Sequence, residues 1–147
     1  ILGCRASRDH LMIGLLICHM DTRSTVREYY DALRTGDPLA PYFAEEHDGD
    51  DAFVKFGISE RLTGSEQIQT GLRAQTETTA EWTVTSHALR VCERGTHAWF
   101  SDSVSMEWTS TESEEHHEFD TRWSGTLTES SNGWQFVGMH VSTADEL

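Results

Sequence analysis

The stretch GWQFVGMHVS, residues 133–142, has the composition of a strand but carries an ionisable side chain near its end. A Ser-Asn-Gly turn signal precedes it, and aromatic and β-branched residues dominate it, which indicates a β-strand. Strict alternation puts on one face Trp134, Phe136, Gly138 and His140. The opposite face is apolar too, so the strand is predicted to be central, with helices on one side and a second subunit on the other. His140 is then expected to lie against the core, where an ionisable group is unfavourable unless it finds a partner, water or a ligand.

Three longer strand-like segments precede this stretch, at residues 81–94, 97–110 and 116–129. They are rich in Thr, Val, Trp and Phe and are separated by turn signals, which predicts an antiparallel meander. Alternation points Asp102 and Trp123 toward the same interior as His140. A β-bulge would reverse the faces of part of a strand.

The helical signals come earlier in the chain. Asp21 or the next residue is positioned to cap a helix with apolar side chains at helical spacing, and Gly36 ends it. Asp37-Pro38 is expected to begin a short helical turn, and residues 52–57 are predicted to form a short strand. Residues 63–66, TGSE, have the spacing of a capping box for a second helix. Helices followed by a run of strands indicate an α+β fold, with helices packed on one face of a curved antiparallel sheet.

The composition is strongly acidic. Acidic residues number 25 against 11 basic ones, a formal net charge of -14, and Lys55 is the only lysine. Such a surface repels phosphates, so neither nucleic acid nor an anionic membrane is expected as a partner. An acidic, lysine-poor chain is typical of proteins that work in concentrated salt, which predicts a halophilic source. Three cysteines without C-x-x-C spacing predict free thiols in a reducing cytoplasm.

The first 19 residues do not share the pattern of the rest. Their apolar run, residues 11–18, is about half as long as a membrane-spanning helix, and no A-x-A cleavage pattern follows it. Met20 directly precedes the first helix signal. We therefore expect residues 1–19 to be an extension outside the domain, with an extra helix or a targeting segment as alternatives. Residues 20–147 are expected to form one domain.

Six short motifs carry a family resemblance: ALRTGD at 32–37, FG at 56–57, GSEQI at 64–68, AWF at 98–100, RWSGTL at 122–127 and GWQFVGMHVS at 133–142. They resemble motifs of SnoaL-like domains in the nuclear transport factor 2-like (NTF2-like) superfamily, and the last motif is the most specific. The resemblance implies a cystatin-like cone, in which a bent sheet wraps around helices and encloses a pocket. It also implies a homodimer through the outer sheet face. The superfamily includes isomerases, polyketide cyclases, dehydratases, transport factors and kinase association domains, so fold alone does not select a function.

Asp102 and His140 are the candidate catalytic pair. An Asp–His pair can share a proton and remove one from a carbon next to a carbonyl, provided that the histidine titrates near neutral pH. Tyr29 or Tyr30 is available from the first helix. The alternative is that His140 is a structural histidine, hydrogen-bonded to Asp102 or to the backbone. The candidate ligand-binding residues are Tyr30, Phe56, Trp108, Phe119, Trp123 and Phe136.

Neither a metal nor a cofactor is expected. The run EEHHE, residues 114–118, contains metal-ligand residue types, but neighbouring residues on a strand point to opposite faces and hairpin tips are solvated, which favours a surface charge run. Ser142 has no G-x-S-x-G context, which argues against nucleophilic catalysis. Phosphate-binding glycine loops are absent from the sequence.

Two functional hypotheses follow. The first is a small-molecule-binding domain with an apolar pocket, possessing cofactor-free acid–base chemistry of isomerase or cyclase type on a small organic substrate. The second is a non-catalytic dimerisation or association module of the same fold. An open pocket on which Asp102 and His140 converge would favour the first hypothesis. A pocket filled by Trp108, Phe119 and Trp123 would favour the second.

Overall fold

The structure is a computed structural model that describes residues 21–45 and 52–147, together with the backbone pairing of two short segments near the start. These segments are strands β1 (Arg5–Ala6) and β2 (Cys18–His19), which pair antiparallel. The rest of the predicted N-terminal extension lies outside the described residues.

Helix α1 (Thr22–Thr35) begins and ends where the sequence predicts. The carboxylate of Asp21 accepts a hydrogen bond from the backbone N–H of Ser24 at 2.8 Å, which satisfies a free donor of the first turn. Gly36 ends the helix in the left-handed conformation, with a φ of 75°. The helix buries Tyr29 and Tyr30 against the sheet.

The second helix differs from its prediction at the start. Helix α2 (Ser65–Thr78) has Gly64 as its N-cap and no side-chain cap. Thr63 is not the predicted cap, because the helix begins one residue later and Thr63 is the last residue of a short strand. The predicted turn at Asp37-Pro38 is a 3₁₀ turn at Ala40–Tyr42. None of the described helices is long and apolar enough to cross a membrane.

One curved, unclosed sheet of seven strands contains the remaining elements. The strands are β3 (Val54–Phe56), β4 (Arg61–Thr63), β5 (Thr79–Ser86), β6 (Arg90–Arg94), β7 (His97–Ser110), β8 (His116–Ser130) and β9 (Gly133–Thr143). The order is β4-β3-β9-β8-β7-β5, and β6 also pairs with β7. The α+β cone is confirmed, but the sheet is mixed because β3 runs parallel to β9. The predicted strand at 81–94 is two strands, β5 and β6.

The helix-facing side of the sheet, called the inner face below, carries the core. On β7 it buries Ala98, Phe100, Asp102, Val104 and Met106, as alternation predicts. On β8 it buries Thr121, Trp123 and Leu127, again as predicted. Period-two alternation therefore holds along both long central strands.

Strand β9 contains a β-bulge at Val137. Phe136 pairs with Leu127, and Gly138 pairs with the preceding residue of β8, Thr126, so Val137 has no partner in the ladder. An extra residue in one strand reverses the faces of everything after it.

The bulge overturns the predicted faces of the second half of β9. Met139 and Val141 are buried in the core, whereas His140 is exposed on the outer face. The prediction that Gly138 and His140 share the inner face of Trp134 is therefore wrong. Strict alternation fails along this strand because the ladder skips one residue.

Candidate ligand pocket

A cavity of about 430 Å³ lies between α1, α2 and the inner face of the sheet. This volume suits a small organic molecule. Two groups of residues in its lining matter for chemistry. One group, the aromatic wall, consists of Trp82, Trp108, His117 and Phe119, and the other, the polar cluster, consists of Tyr29, Lys55 and Glu60.

The aromatic wall is built by cross-strand stacking. The rings of Trp82 and Trp108 stack with centroids 4.8 Å apart and an interplanar angle of 15°. Trp108 is paired in register with His117, and their rings stack at 5.1 Å and 24°. Phe119 lies 5.6 Å from Trp108. Rings this close and this nearly parallel are stacked face to face, and together they form an apolar wall against which an aromatic ligand can pack.

Lys55 belongs to the pocket because of the register of β3. Lys55 is opposite Met139 in the parallel ladder, and Phe56 is opposite His140. Paired residues share a face of the sheet, so Lys55 points inward with Met139 and is only 5% exposed. Its Nζ donates a hydrogen bond to Oε1 of Glu60 at 2.5 Å.

Glu60 reaches Lys55 from the turn between β3 and β4. The backbone N–H of Gly57 donates to the carbonyl of Glu60 at 3.0 Å, which closes the turn. A Cβ atom on Gly57 would lie 2.6 Å from Cγ of Glu60. Gly57 therefore leaves the space in which the Glu60 side chain folds back toward the pocket.

Tyr29 contributes a buried hydroxyl to the polar cluster. It is 1% exposed, and no group within residues 21–45 and 52–147 is hydrogen-bonded to its hydroxyl. Burial, and to a smaller extent the negative charge of Glu60, raises the pKa of Tyr29 above its ordinary value. The hydroxyl therefore stays protonated at neutral pH and is available as a donor to a ligand.

Asp102 is buried but lies outside the pocket lining. Its carboxylate accepts hydrogen bonds from the Tyr30 hydroxyl at 2.9 Å, the Ser86 hydroxyl at 2.6 Å and the backbone N–H of Ala88 at 2.9 Å. Burial first, and then the charge of Asp102, raises the pKa of Tyr30. Both carboxylate oxygens are occupied, so Asp102 joins α1 to the segment between β5 and β6 as a structural group.

Three of the six predicted ligand-binding residues line the cavity. These are Trp108, Phe119 and Trp123. Tyr30 instead holds Asp102, and Phe136 is fully buried against Tyr29 in the core. Tyr30 and Phe136 are outside the pocket because of the strand register and their depth in the core. Sequence patterns give neither of these.

The predicted convergence of Asp102 and His140 is wrong. Asp102 is on the inner face of β7, and His140 is on the outer face of β9. Phe56, predicted to bind ligand, is also on the outer face, where it is 42% exposed and its ring lies 5.9 Å from that of His140. The bulge at Val137 displaces His140, and the register of β3 displaces Phe56.

Several residues of the lining were not among the predicted site residues, including Lys55, Glu60, Trp82 and His117. One compositional signal was present, since Lys55 is the only lysine of the chain. A single lysine in a chain that otherwise uses arginine is a candidate for a specific role.

A second cluster of ionisable groups lies on the outer face. Ligand atoms of Glu107, His116 and Glu118 are all within 4.8 Å of one another. His116 bonds to Glu107 at 3.2 Å, and this hydrogen bond, together with one from Thr83, lowers the pKa of Glu107. His116 and Glu118 are exposed. The hydrogen bond between His116 and Glu107 accounts for their proximity. The interpretation of the 114–118 run as surface charge holds for its four exposed residues but is wrong for His117, which lines the pocket.

Comparison with known proteins assigns the chain to a family. The family model described as SnoaL-like domain matches residues 23–146. No curated protein matches the chain. Among solved structures, a candidate dehydratase of the NTF2-like family from Streptomyces avermitilis aligns with a TM-score of 0.73 at 14% identity, covering 84% of this chain and 94% of that chain.

Two further structures show how widely the fold is used. A ketosteroid isomerase-like protein from Erwinia carotovora atroseptica aligns with a TM-score of 0.66 at 14% identity, covering 84% of this chain and 94% of that chain. A candidate calcium/calmodulin-dependent protein kinase II association domain from Xanthomonas campestris gives 0.66 at 15% identity, with coverages of 85% and 86%. Identities this low establish the fold alone. The family match spans most of the chain, and the protein therefore belongs to the SnoaL-like domain family.

Proposed function

We propose that the chain binds a small organic molecule in the cavity between the helices and the inner face. One observation carries this proposal: the cavity is open at about 430 Å³, and the polar cluster faces a lining that is mostly apolar. An open cavity favours a ligand, whereas a cavity filled by its own tryptophans would favour an association module. Trp108, Phe119 and Trp123 are proposed to contact the ligand, as expected from the sequence.

We propose that the chemistry in this pocket is proton transfer without a cofactor. The Glu60 carboxylate would accept a proton from a carbon next to a carbonyl, and the electron pair of that C–H bond would move onto the carbonyl oxygen. Tyr29 and Lys55 would donate hydrogen bonds to the resulting enolate. In a substrate with a β,γ carbon–carbon double bond, a protonated His117 would give its proton to the γ carbon, and the electron pair on oxygen would return through the conjugated system to form the new C–H bond. Glu60 would then release its proton to water and His117 would take one from water, which completes an isomerase-like step. The acid–base role thus moves from Asp102 and His140 to groups that line the cavity.

The bicyclic ketone 2-tetralone tests binding and chemistry together. We expect calorimetry to detect binding and NMR in D₂O to detect protein-dependent exchange of the protons next to the carbonyl. Trp108→Ala should weaken binding about 10-fold or more because it removes the centre of the aromatic wall. Glu60→Gln should abolish the exchange and leave binding measurable. Trp99→Ala is the matched control, since Trp99 is 50% exposed on the outer face.

The outcomes separate the two parts of this proposal. Absence of both binding heat and a change in melting temperature, for the ketone and for related ring compounds, would refute the pocket as a ligand site. Binding without exchange would leave a binding protein and remove the catalytic role. Equal losses in Trp99→Ala and Trp108→Ala would contradict the assigned position of the ligand.

We also propose a homodimer through the outer sheet face, the surface on which the association-module alternative depends. Phe56 and Trp99 leave large apolar side chains exposed on this face, a feature of interaction surfaces. We expect sedimentation analysis to give twice the chain mass for the wild type and the chain mass for Trp99→Glu. Asn132→Glu, in the turn between β8 and β9, is the control and should remain dimeric. A wild-type protein that is monomeric at every concentration would rule the dimer out.

We propose a salt-rich cytoplasm as the location of the protein. The acidic, lysine-poor composition and the cysteines without framework spacing support this proposal. The same net charge of -14 argues against nucleic acid and anionic lipid as partners.

A further inference from the structure

Lys55 gives the pocket a fixed positive charge. The side chain of Lys55 is 6% exposed, and its position is set by the pairing of β3 with β9 rather than by a flexible loop. A buried ammonium group needs a negative partner, because leaving it unpaired away from water is strongly unfavourable. The pocket, empty or occupied, therefore favours an anion next to Lys55.

Glu60 supplies that anion from a position that it can leave. Its side chain is 37% exposed and belongs to the turn between β3 and β4. Within the described residues, Lys55 is the only hydrogen-bonding partner of the Glu60 carboxylate. Rotation about the side-chain bonds of Glu60 would move the carboxylate into water without a change in the backbone. The lysine is thus the permanent charge of the pair, and the glutamate is the exchangeable one.

The sign of the charge selects the class of ligand. A cationic ligand would have to share the cavity with the buried charge of Lys55, which cannot move away. An anionic ligand would replace Glu60 as the partner of Lys55, while Glu60 regains its hydration outside. The aromatic wall adds a preference for an aromatic ring system, which packs against aromatic side chains in offset-stacked or edge-to-face contact.

We propose that the ligand is a planar aromatic acid whose anionic group displaces the Glu60 carboxylate from Lys55. This inference rests on the proposed function, since it names the class of molecule that the pocket takes. With the acid bound, Glu60 points into water and Lys55 holds the ligand anion, so this inference concerns the binding part of the proposed function and not the proton transfer. In the absence of ligand, Glu60 occupies the anion site of its own pocket.

Three probes with the same ring system test the proposal by calorimetry: 2-naphthoate, 2-naphthamide and 2-naphthylmethylammonium. Roughly 0.15 M salt screens the negative charge of the whole protein beyond about 8 Å. We expect naphthoate to bind the wild type roughly 10-fold more tightly than the amide, since hydrogen bonds to charged groups are the stronger ones. The ammonium probe should bind most weakly.

Two variants test whether Lys55 and Glu60 are responsible for the preference for naphthoate over naphthamide. Glu60→Gln should strengthen naphthoate binding several-fold, because the competing carboxylate is gone, and leave the affinity for naphthamide unchanged. Lys55→Met should abolish the preference for naphthoate over the amide and keep amide binding. Circular dichroism and melting temperature establish that each variant is folded. If Lys55→Met does not fold, the responses of the two probes to Glu60→Gln decide the question, since only the affinity for naphthoate should rise.

The results distinguish failure of this inference from failure of the pocket. Equal binding of acid and amide to the wild type, or tightest binding of the ammonium probe, would overturn the proposed ligand class while the pocket stands. Weaker naphthoate binding in Glu60→Gln would overturn the displacement. If none of the three probes binds, and 2-tetralone does not bind either, both the pocket and the ligand class are refuted.

Discussion

The Met139→Asp variant is expected to lose about 4 kcal/mol or more of its free energy of unfolding, while His140→Asp loses about 0.5 kcal/mol or less. Met139 is 3% exposed, and its neighbour is exposed on the other side of the same strand. The first substitution buries an unpaired carboxylate in the core, whereas the second exchanges one solvated side chain for another. Urea unfolding of both variants, followed by circular dichroism, measures the difference.

This pair of variants tests the β-bulge directly. Without a bulge at Val137, alternation from Phe136 would put His140 inside and Met139 outside, and the order of the two effects would be inverted. Equal damage from both substitutions would also contradict the assigned faces. If Met139→Asp accumulates only as insoluble protein, a soluble and stable His140→Asp is still the result that the structure requires.

Asp102→Ala is expected to lower the free energy of unfolding by about 3 kcal/mol, because the substitution removes three hydrogen bonds and leaves the buried Tyr30 hydroxyl without an acceptor. Asp102→Asn keeps one acceptor oxygen and should lose about half as much. Asp120→Ala is the matched control, since Asp120 is exposed on the adjacent strand. Denaturant unfolding of the three variants gives the comparison.

The same variant separates a structural role from a catalytic one. Because Asp102 is outside the cavity lining, Asp102→Ala should bind 2-tetralone with the affinity of the wild type at a temperature where it is folded. A loss of proton exchange with full stability would contradict the structural role and restore Asp102 as a candidate base.

Local sequence signals predicted most of the secondary structure. The Asp21 cap and Gly36 gave the bounds of α1, and turn signals gave the two longest strands within one residue at each end. The break between β5 and β6 was missed, because it depends on Ala88 donating to Asp102, which is distant in sequence. The parallel pairing of β3 with β9 was also missed, since the sequence of a short strand does not identify the strand with which it pairs.

The candidate site was harder to predict than the fold. A single unpaired residue, Val137, reverses the second half of β9, and period-two alternation has no means of detecting it. A clue was present in two glycines: a Cβ on Gly125 would lie 2.6 Å from the carbonyl oxygen of Gly138. A glycine inside a strand indicates a bulge or a close approach of backbones.

The face of the sheet on which Lys55 lies also could not be predicted from strand alternation. Lys55 is flanked by Val54 and Phe56, so alternation on a half-buried strand favours a lysine in solvent and a phenylalanine inside. The ladder with β9 reverses this order, because Lys55 pairs with the buried Met139. Only the long-range register reveals that the charged residue belongs to the cavity.

The solitary lysine has a practical consequence for experiments on this protein. No other side-chain amine exists anywhere in the chain, so acylating or reductively alkylating reagents that reach a lysine must enter the cavity to do so. A ligand in the pocket would protect Nζ of Lys55 from modification. Mass spectrometry of the modified protein would therefore measure pocket occupancy, even in a crude mixture and for an unidentified ligand. Acylating reagents also reach the α-amino group and thiols such as Cys92, so peptide mapping is used to read the modification at Lys55 itself.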